Sequence, residues 1–325
     1  MNNKMYLLAD IGGTNARFAL SDGVSVRNEL QLRCADYRTI ELAVVHYLQV
    51  VGEARPVQQA SFAIAAPLSG DQVSMTNHNW RFSISQLRQA LGLQRLIVMN
   101  DFTALALAIR HLPQAELQQV GGVANALTTP IALLGAGTGL GVSGLIPSGK
   151  EWLPLQGEGG HVTLAPGNAR EVAVLQQLWR RFEHVSAERV LSGPGIENLY
   201  TALCELDNLT IHTYRAADIT ERGLNGSCRV CAETLQMFCG LLGSVAGNLV
   251  LTLGATHALY IGGGIVPRFG EYFAHSVFRQ RFNGKGRYVE FLAPVPVYVI
   301  HTAQPAFVGL VQSFTAPGSR IESHA

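Results

Sequence analysis

Two short glycine-rich turns, each set between mainly apolar runs, restrict this chain more than any other feature. Residues 5–9 form an apolar run that ends in Asp10-Ile11-Gly12-Gly13-Thr14, and residues 16–20 form a second run. The pattern returns later. Residues 131–134 lead into Gly135-Ala136-Gly137-Thr138-Gly139-Leu140-Gly141, followed by the apolar residues 142–146. Each stretch reads as strand, tight turn, strand. Backbone N–H groups converge on an anion only where no side chain blocks them, so turns of this kind suit phosphate. One device used twice suggests two related halves.

Two other phosphate cradles fail. The dinucleotide fingerprint breaks at Gly135-Ala136-Gly137, because Leu140 holds its last glycine position. A P-loop is nearly matched from Gly144 to Lys150, but Glu151 stands where Ser or Thr must hold magnesium, and Pro147 suits a hairpin.

The first 111 residues alternate between strand and helix patterns. Residues 41–51 have helical spacing, and 60–65 read as a strand. Ser83 with Gln86 makes a capping box before a helix through Leu91. Residues 95–99 are a strand that runs through Asn100-Asp101 into helical residues 102–109. This is an α/β pattern. Leu112-Pro113 marks a domain break. Beyond it, 171–182, 196–206 and 228–253 read as helices, 295–301 as a last strand and 306–314 as a last helix.

At 325 residues the chain suits two domains. Lys plus Arg number 24 against 23 Asp plus Glu, which leaves no electrostatic footprint for nucleic acid or an anionic membrane. Phosphate must then be held locally, by N–H groups or a metal. Five scattered cysteines do not form a disulfide framework, and the first residues have no signal-peptide pattern, so a cytoplasmic location is expected. Residues 234–267 carry no charge, but glycines interrupt them, and they read as a buried helix running into a buried strand rather than a membrane span. Cys228-x-x-Cys231 lacks a partner pair for zinc and reads as structural thiols.

Several polar residues invite a chemical reading. Asp10 ends a buried-looking strand, where a carboxylate is costly unless a cation attends it; magnesium through water would do so, and the alternative is that Asp10 merely caps a turn. Asn100 and Asp101 sit where a strand enters a helix. Asp101 there can serve as a general base, although helix capping is the favoured reading from position alone. Glu158 and His161, in Gly157-Glu158-Gly159-Gly160-His161, offer donors and acceptors that match sugar hydroxyls; a solvated turn is the alternative. Glu188 could equally be an acid at a helix start. Thr76-Asn77-His78-Asn79-Trp80 is a polar loop dense in hydrogen-bonding groups, and Gly262-Gly263-Gly264-Ile265 is a third glycine string.

Taken in order, seven strings resemble those of the bacterial glucokinases, members of the hexokinase, actin and sugar-kinase superfamily. They are ADIGGTNARFAL, AAPLSGDQVSMTNHNW, VMNDFTALA, LGAGTGLG, LQGEGGHV, HVSAERVLSGPG and IGGGIVPR, and the likeness covers almost the whole chain. The resemblance implies an α/β, two-domain actin-like ATPase (ribonuclease H-like) fold. Each domain would be a mixed sheet with helices, with a cleft between the two. Residues 1–111 with 302–325 would form the small domain and 112–301 the large one. It implies ATP-dependent phosphorylation of D-glucose with Asp101 as base, while Asn100, Glu158, His161 and Glu188 bind the sugar. Gly12, Gly13 and Thr14, with Gly137, Thr138 and Gly139, would hold phosphate, and Gly263 and Gly264 would contact the nucleotide. Asp10 would hold Mg2+ through water. A homodimer is a family expectation. Kinases and repressors of the ROK type carry a cysteine cluster soon after the equivalent of His161. Here the next cysteine is Cys204, and the phosphate strand begins at residue 5, which argues against zinc and against a repressor. A kinase for mannose or fructose, or a non-catalytic sugar sensor, are the alternatives.

Overall fold

The computed structural model describes residues 4–53, 57–76, 78–126 and 128–315, and the backbone of 321–324. The first apolar run is β1 (Met5–Ile11). It turns through Gly12-Gly13-Thr14 into antiparallel β2 (Asn15–Ser21), and β3 (Val26–Arg33) completes a meander. After α1 (Ile40–Val51), β4 (Val57–Ile64) runs parallel to β1. The short strands β5 (Gln72–Ser74) and β6 (Arg81–Ser83) pair only with each other. The side chain of Ser83 caps α2 (Ile84–Ala90) by accepting from the Gln86 N–H at 3.1 Å. Then β7 (Arg95–Asn100) lies parallel to β4 and passes directly into α3 (Asp101–Ala108).

A second sheet follows, with β8 (Leu117–Gln119), β9 (Ile131–Ala136), β10 (Leu140–Ser148) and β11 (Glu151–Pro154). The near-match to a P-loop is the end of β10 and its hairpin turn into β11, with Ser148 opposite Glu151. It opens no helix. Next come α4 (Ala169–Trp179), α5 (Gly193–Leu206), α6 (Ala216–Leu224) and α7 (Arg229–Leu253). After β12 (Ala258–Gly262) come three short helices, α8 (Glu271–His275), α9 (Phe278–Asn283) and α10 (Val289–Leu292), and then β13 (Val297–Ile300). The last elements are α11 (Pro305–Gln312) and β14 (Ile321–His324).

The two six-stranded sheets are ordered β14-β7-β4-β1-β2-β3 and β11-β10-β9-β12-β13-β8. They share one plan. Each holds a three-strand meander, and two more strands run parallel to its first strand on the far side, β4 then β7 from β1, and β12 then β13 from β9. An antiparallel edge strand closes each sheet. The paired glycine turns of the sequence mark the same corner of this repeated plan.

The chain divides into two units. One holds Met1–Pro113, Leu145–Gln156 and Thr302–Ala325; the other holds Gln114–Gly144 and Gly157–His301. The segment Leu145–Gln156, placed with the larger domain in the reading along the chain, groups with the first unit. There β11 lies against α3, and the Arg110 guanidinium sits 4.9 Å from the centre of the Trp152 ring.

In the first unit, one sheet face carries Leu7, Ala9, Phe18, Phe62 and Val98 against Tyr47 of α1. The other carries Leu8, Ala63, Ile97 and Met99 against α3 and α11. These helices cross so closely that a Cβ on Gly309 would stand 1.8 Å from the Ala104 carbonyl oxygen. The second core surrounds α7, which is long and apolar enough to cross a membrane but is mostly buried. Its glycines form a groove for α9. Added Cβ atoms would meet the Phe278 carbonyl oxygen at 2.3 Å from Gly243 and the Phe282 carbonyl oxygen at 2.6 Å from Gly247. The uncharged stretch is therefore a core helix leading into β12.

Candidate active site

Parallel strands align their carboxyl ends, and open α/β sheets bind ligands there. In the first unit Ile11, Ile64 and Asn100 stand in one cross-strand row, with Asp10 one residue back from it. Neighbouring strands are about 4.8 Å apart, so Asp10 and Asn100 lie on one edge, about 10 Å from each other. Arg17 on β2 faces Asp10, Nη1 to Oδ2 at 3.4 Å. Burial pushes the Asp10 carboxyl above its ordinary range, and the Arg17 charge only partly offsets this. The carboxylate is thus short of positive charge. A hydrated divalent ion, which keeps most of its waters and takes one or two carboxylates, fits such a group.

At the other end of this edge, Asn100 caps α3. Its Oδ1 accepts from the Phe102 N–H at 2.9 Å, and its Nδ2 donates to the Ala66 carbonyl at 3.4 Å. Asp101 shares the same Phe102 N–H through Oδ1, also at 2.9 Å. The capping role that position suggested is real, and it fixes the half-buried Asp101 carboxylate at the start of α3.

In the second unit the structure joins residues that the sequence keeps apart. Residues 162–164 pair with 185–187, Ala187 N–H to the Val162 carbonyl at 2.9 Å and Leu164 N–H to the Val185 carbonyl at 3.0 Å. That pairing sets His161 beside Glu188, Nδ1 to Oε1 at 4.0 Å. The other Glu188 oxygen accepts from the Leu140 N–H at 2.9 Å, at the second glycine turn. Of the glycines around Glu158, Gly159 and Gly160 are there for close packing, while Gly157 has open space around it. A Cβ on Gly160 would stand 2.0 Å from the Leu140 carbonyl oxygen, and one on Gly159 would stand 2.8 Å from Val142 Cγ1. Glu158 itself is exposed, and its carbonyl accepts from the His161 N–H at 3.0 Å.

Each glycine turn is closed by the N–H of its first glycine, across two residues in the first turn and across one in the second. Gly12 N–H donates to the Asn15 carbonyl at 3.0 Å, and Gly137 N–H donates to the Gly139 carbonyl at 2.8 Å. The first glycine of each turn spends its donor on the fold; the residues after it, Gly13 and Thr14 or Thr138 and Gly139, form the tip. Gly137 and Thr138 border a cavity of about 660 Å³, walled by the start of α5 at Gly193 and Pro194, by Arg215 and Thr220 on the α6 side, and by Gly264, Ile265 and Arg268. Gly263 does not line it. Its φ of +80° and a Cβ site 2.3 Å from the Ala136 carbonyl oxygen make it the glycine that seats this loop on β9. Sequence reading missed Glu197, Arg215, Thr220 and Arg268 in the wall. On a helix or turn, such side chains look like any solvated face. Thr76, His78 and Asn79 border a separate hollow in the first unit, and Asn77 lies outside the described residues.

The repeated sheet plan, the glycine turns and the acidic strand edge define a two-domain α/β phosphotransferase of the actin and sugar-kinase type. The family model described as Glucokinase matches residues 7–316. A relative named "Glucokinase" from Chromobacterium violaceum is 52% identical, with 94% of this chain and 87% of the relative covered. The structure of a glucokinase from an Antarctic psychrotroph superposes with a TM-score of 0.85 at 36% identity, covering 95% of this chain and 98% of the other. A ROK family glucokinase from Streptomyces griseus, solved with glucose and AMPPNP, has the same fold at 17% identity, with a TM-score of 0.63 and coverage of 95% and 98%. The chain belongs to the glucokinase family.

Proposed function

We propose that the protein transfers the γ-phosphoryl group of ATP to the 6-hydroxyl of D-glucose in the cytoplasm. One observation carries the reading beyond family membership. The carboxylate of Glu188 holds the Leu140 N–H of a glycine phosphate turn with one oxygen and faces His161 with the other. A residue suited to sugar hydroxyls is thereby tied to a turn suited to phosphate, beside a cavity large enough for a nucleoside.

In this reading Asn100, Glu158, His161 and Glu188 orient the sugar through hydrogen bonds. Asp101 takes the proton of the primary hydroxyl as that oxygen bonds to the γ-phosphorus and the bond to the β-phosphate oxygen breaks, releasing ADP. Gly12, Gly13 and Thr14, with Gly137, Thr138 and Gly139, shape the phosphate turns, whose N–H groups at the tips are directed by the closing hydrogen bonds described above. Gly264 flanks the nucleoside, and Gly263 sets that loop. Asp10 is the residue that would hold Mg2+ through water, and the ion supplies charge neutralisation on the phosphates. Residues 1–111 with 302–325 and 112–301 would act as the small and large domains, except that 145–156 group with the first unit.

A coupled assay of the purified protein over a panel of hexoses, with ATP and magnesium, tests this. Glucose is expected to give ADP and glucose 6-phosphate. Faster turnover of mannose or fructose would reassign the substrate, and no turnover of any hexose would favour a sugar sensor.

A further inference from the structure

The proposed reaction leaves the Cys228-x-x-Cys231 motif unused. Cys228 is the N-cap residue of α7, and Cys231 is the third residue of the helix. At this spacing an N-cap side chain folds over the first turn toward the N3 side chain, the register of a capping box. Here both side chains end in thiols, close enough for each to shift the titration of the other. Cys231 is fully buried and Cys228 is half-buried. Cys204 on α5 lies near both. A reachable sulfur backed by a buried one is the layout of an attacking and a resolving thiol.

The electrostatics separate the two. Burial pulls the Cys228 thiol upward, but the N–H of Cys231, the Cys231 thiol, the N–H of Val230 and the Arg222 charge outweigh it and hold the thiol below its ordinary value. No hydrogen bond of capping geometry reaches that sulfur, so the N–H groups act as the positive end of a 25-residue helix. Burial, helped by the neighbouring Cys228, pushes the Cys231 thiol up to about 12.

This turn of α7 is pressed against α6. Cys228 N–H donates to the Arg222 carbonyl at 3.3 Å. A Cβ on Gly223 would stand 2.8 Å from the Cys231 carbonyl oxygen and 2.7 Å from Leu235 Cδ1. From the same helix, Ala217, Thr220, Glu221 and Leu224 line the large cavity. As the N-cap, Cys228 has extended rather than helical backbone, and a disulfide holds its Cβ atoms about 3.5–4.5 Å apart. Closing the bond draws Cys228 onto the first turn of α7, and its N–H bond to the Arg222 carbonyl passes that shift to α6, which has no slack against the turn.

We propose that Cys228 and Cys231 form a redox-active dithiol that hydrogen peroxide closes to a disulfide, and that closure displaces α6 and weakens nucleotide binding in the cavity. The second half rests on the nucleotide reading of that cavity. The Cys228 thiolate attacks a peroxide oxygen and the O–O bond breaks, giving a sulfenic acid and one water. The Cys231 sulfur then attacks the sulfenic sulfur. The S–S bond forms, the S–O bond breaks, and a second water leaves with the thiol proton. Two electrons pass from the two thiols to the peroxide, and a dithiol reductant returns them.

Peptide mapping of the full chain after peroxide treatment should find Cys228 linked to Cys231 with the loss of two hydrogens, reversed by dithiothreitol. Cys231→Ser should leave a sulfenic acid on Cys228 that dimedone traps. Direct titration with ATP should show Kd rising at least ~5-fold on oxidation. Cys228→Ser with Cys231→Ser should keep the reduced affinity and show no response. Linkage through Cys204, or over-oxidation without a disulfide, overturns the dithiol. A formed disulfide with unchanged Kd overturns the coupling. Failure of the reduced protein to bind ATP would remove the nucleotide reading and the coupling with it, while the mapping still decides the dithiol.

Discussion

Asp101 shows how a residue can serve fold and chemistry together. Its Oδ1 helps to start α3, and that bond holds the carboxylate at the carboxyl edge of the parallel strands, where a substrate hydroxyl would come. Asp101→Asn keeps the shape and the acceptor but removes the base. Turnover is expected to fall by about 10²–10⁴-fold, while calorimetry still detects glucose binding in weakened form. Near-normal turnover would mean that the proton leaves by another route. The cysteines give a second expectation at this scale. Among the described residues no group of three or more His, Cys, Asp or Glu is placed to hold a metal ion. Elemental analysis should accordingly find no stoichiometric zinc; one zinc per chain, lost with Cys228→Ser and Cys231→Ser, would refute this.

Among the elements, the crossing of α3 and α11 has the least tolerance. Gly309 is there because α11 lies on the backbone of α3, at the Ala104 carbonyl. Gly309→Ala should cost about 3 kcal/mol, at the upper end for overpacking. Gly157→Ala, at a position with open space around it, should stay within about 0.5 kcal/mol. Chemical denaturation of both variants tests the pair, and equal stability would show that the helices separate freely. The elements also show what sequence pattern can carry. Buried strands such as β7 and β9, and helices with an apolar face, were legible because the core enforces their periodicity. β3 was not, since as an edge strand it exposes Arg27, Asn28, Glu29 and Gln31. The glycines of α7 looked like interruptions and are the seat of α9. His161 and Glu188 were legible as polar residues between glycines or at a helix start. Their adjacency was not, because it depends on the pairing of 162–164 with 185–187, which leaves no periodic trace.

At the scale of the whole molecule, the proposed sugar ligands divide between the two units, Asn100 and Asp101 in one, Glu158, His161 and Glu188 in the other. A sugar touching both sets would favour whatever arrangement brings them together, and that differential affinity would drive closure and exclude water. Glucose is expected to reduce the radius of gyration in small-angle scattering. It should also slow proteolysis near the points where the chain passes between units, at residues 113–114, 144–145, 156–157 and 301–302. ATP alone should do less. Measurable glucose binding with neither change would place the sugar within one unit.

The discontinuity of the first unit also matters before the protein is finished. Phe307 and Leu310 complete the apolar layer over Leu8, Ala63, Ile97 and Met99, and Ser313 hydrogen-bonds the buried Ser61 at 2.8 Å. These partners are synthesised some 250 residues after the strands they cover, whereas domains ordinarily fold as units while the chain emerges from the ribosome. The nascent first sheet therefore waits, with one apolar face covered by α3 alone, through the synthesis of the entire second unit. At about 5–20 residues per second that wait lasts on the order of 10–50 s. Protecting that face during translation, rather than the stability of the finished fold, would set how much of this protein a cell obtains.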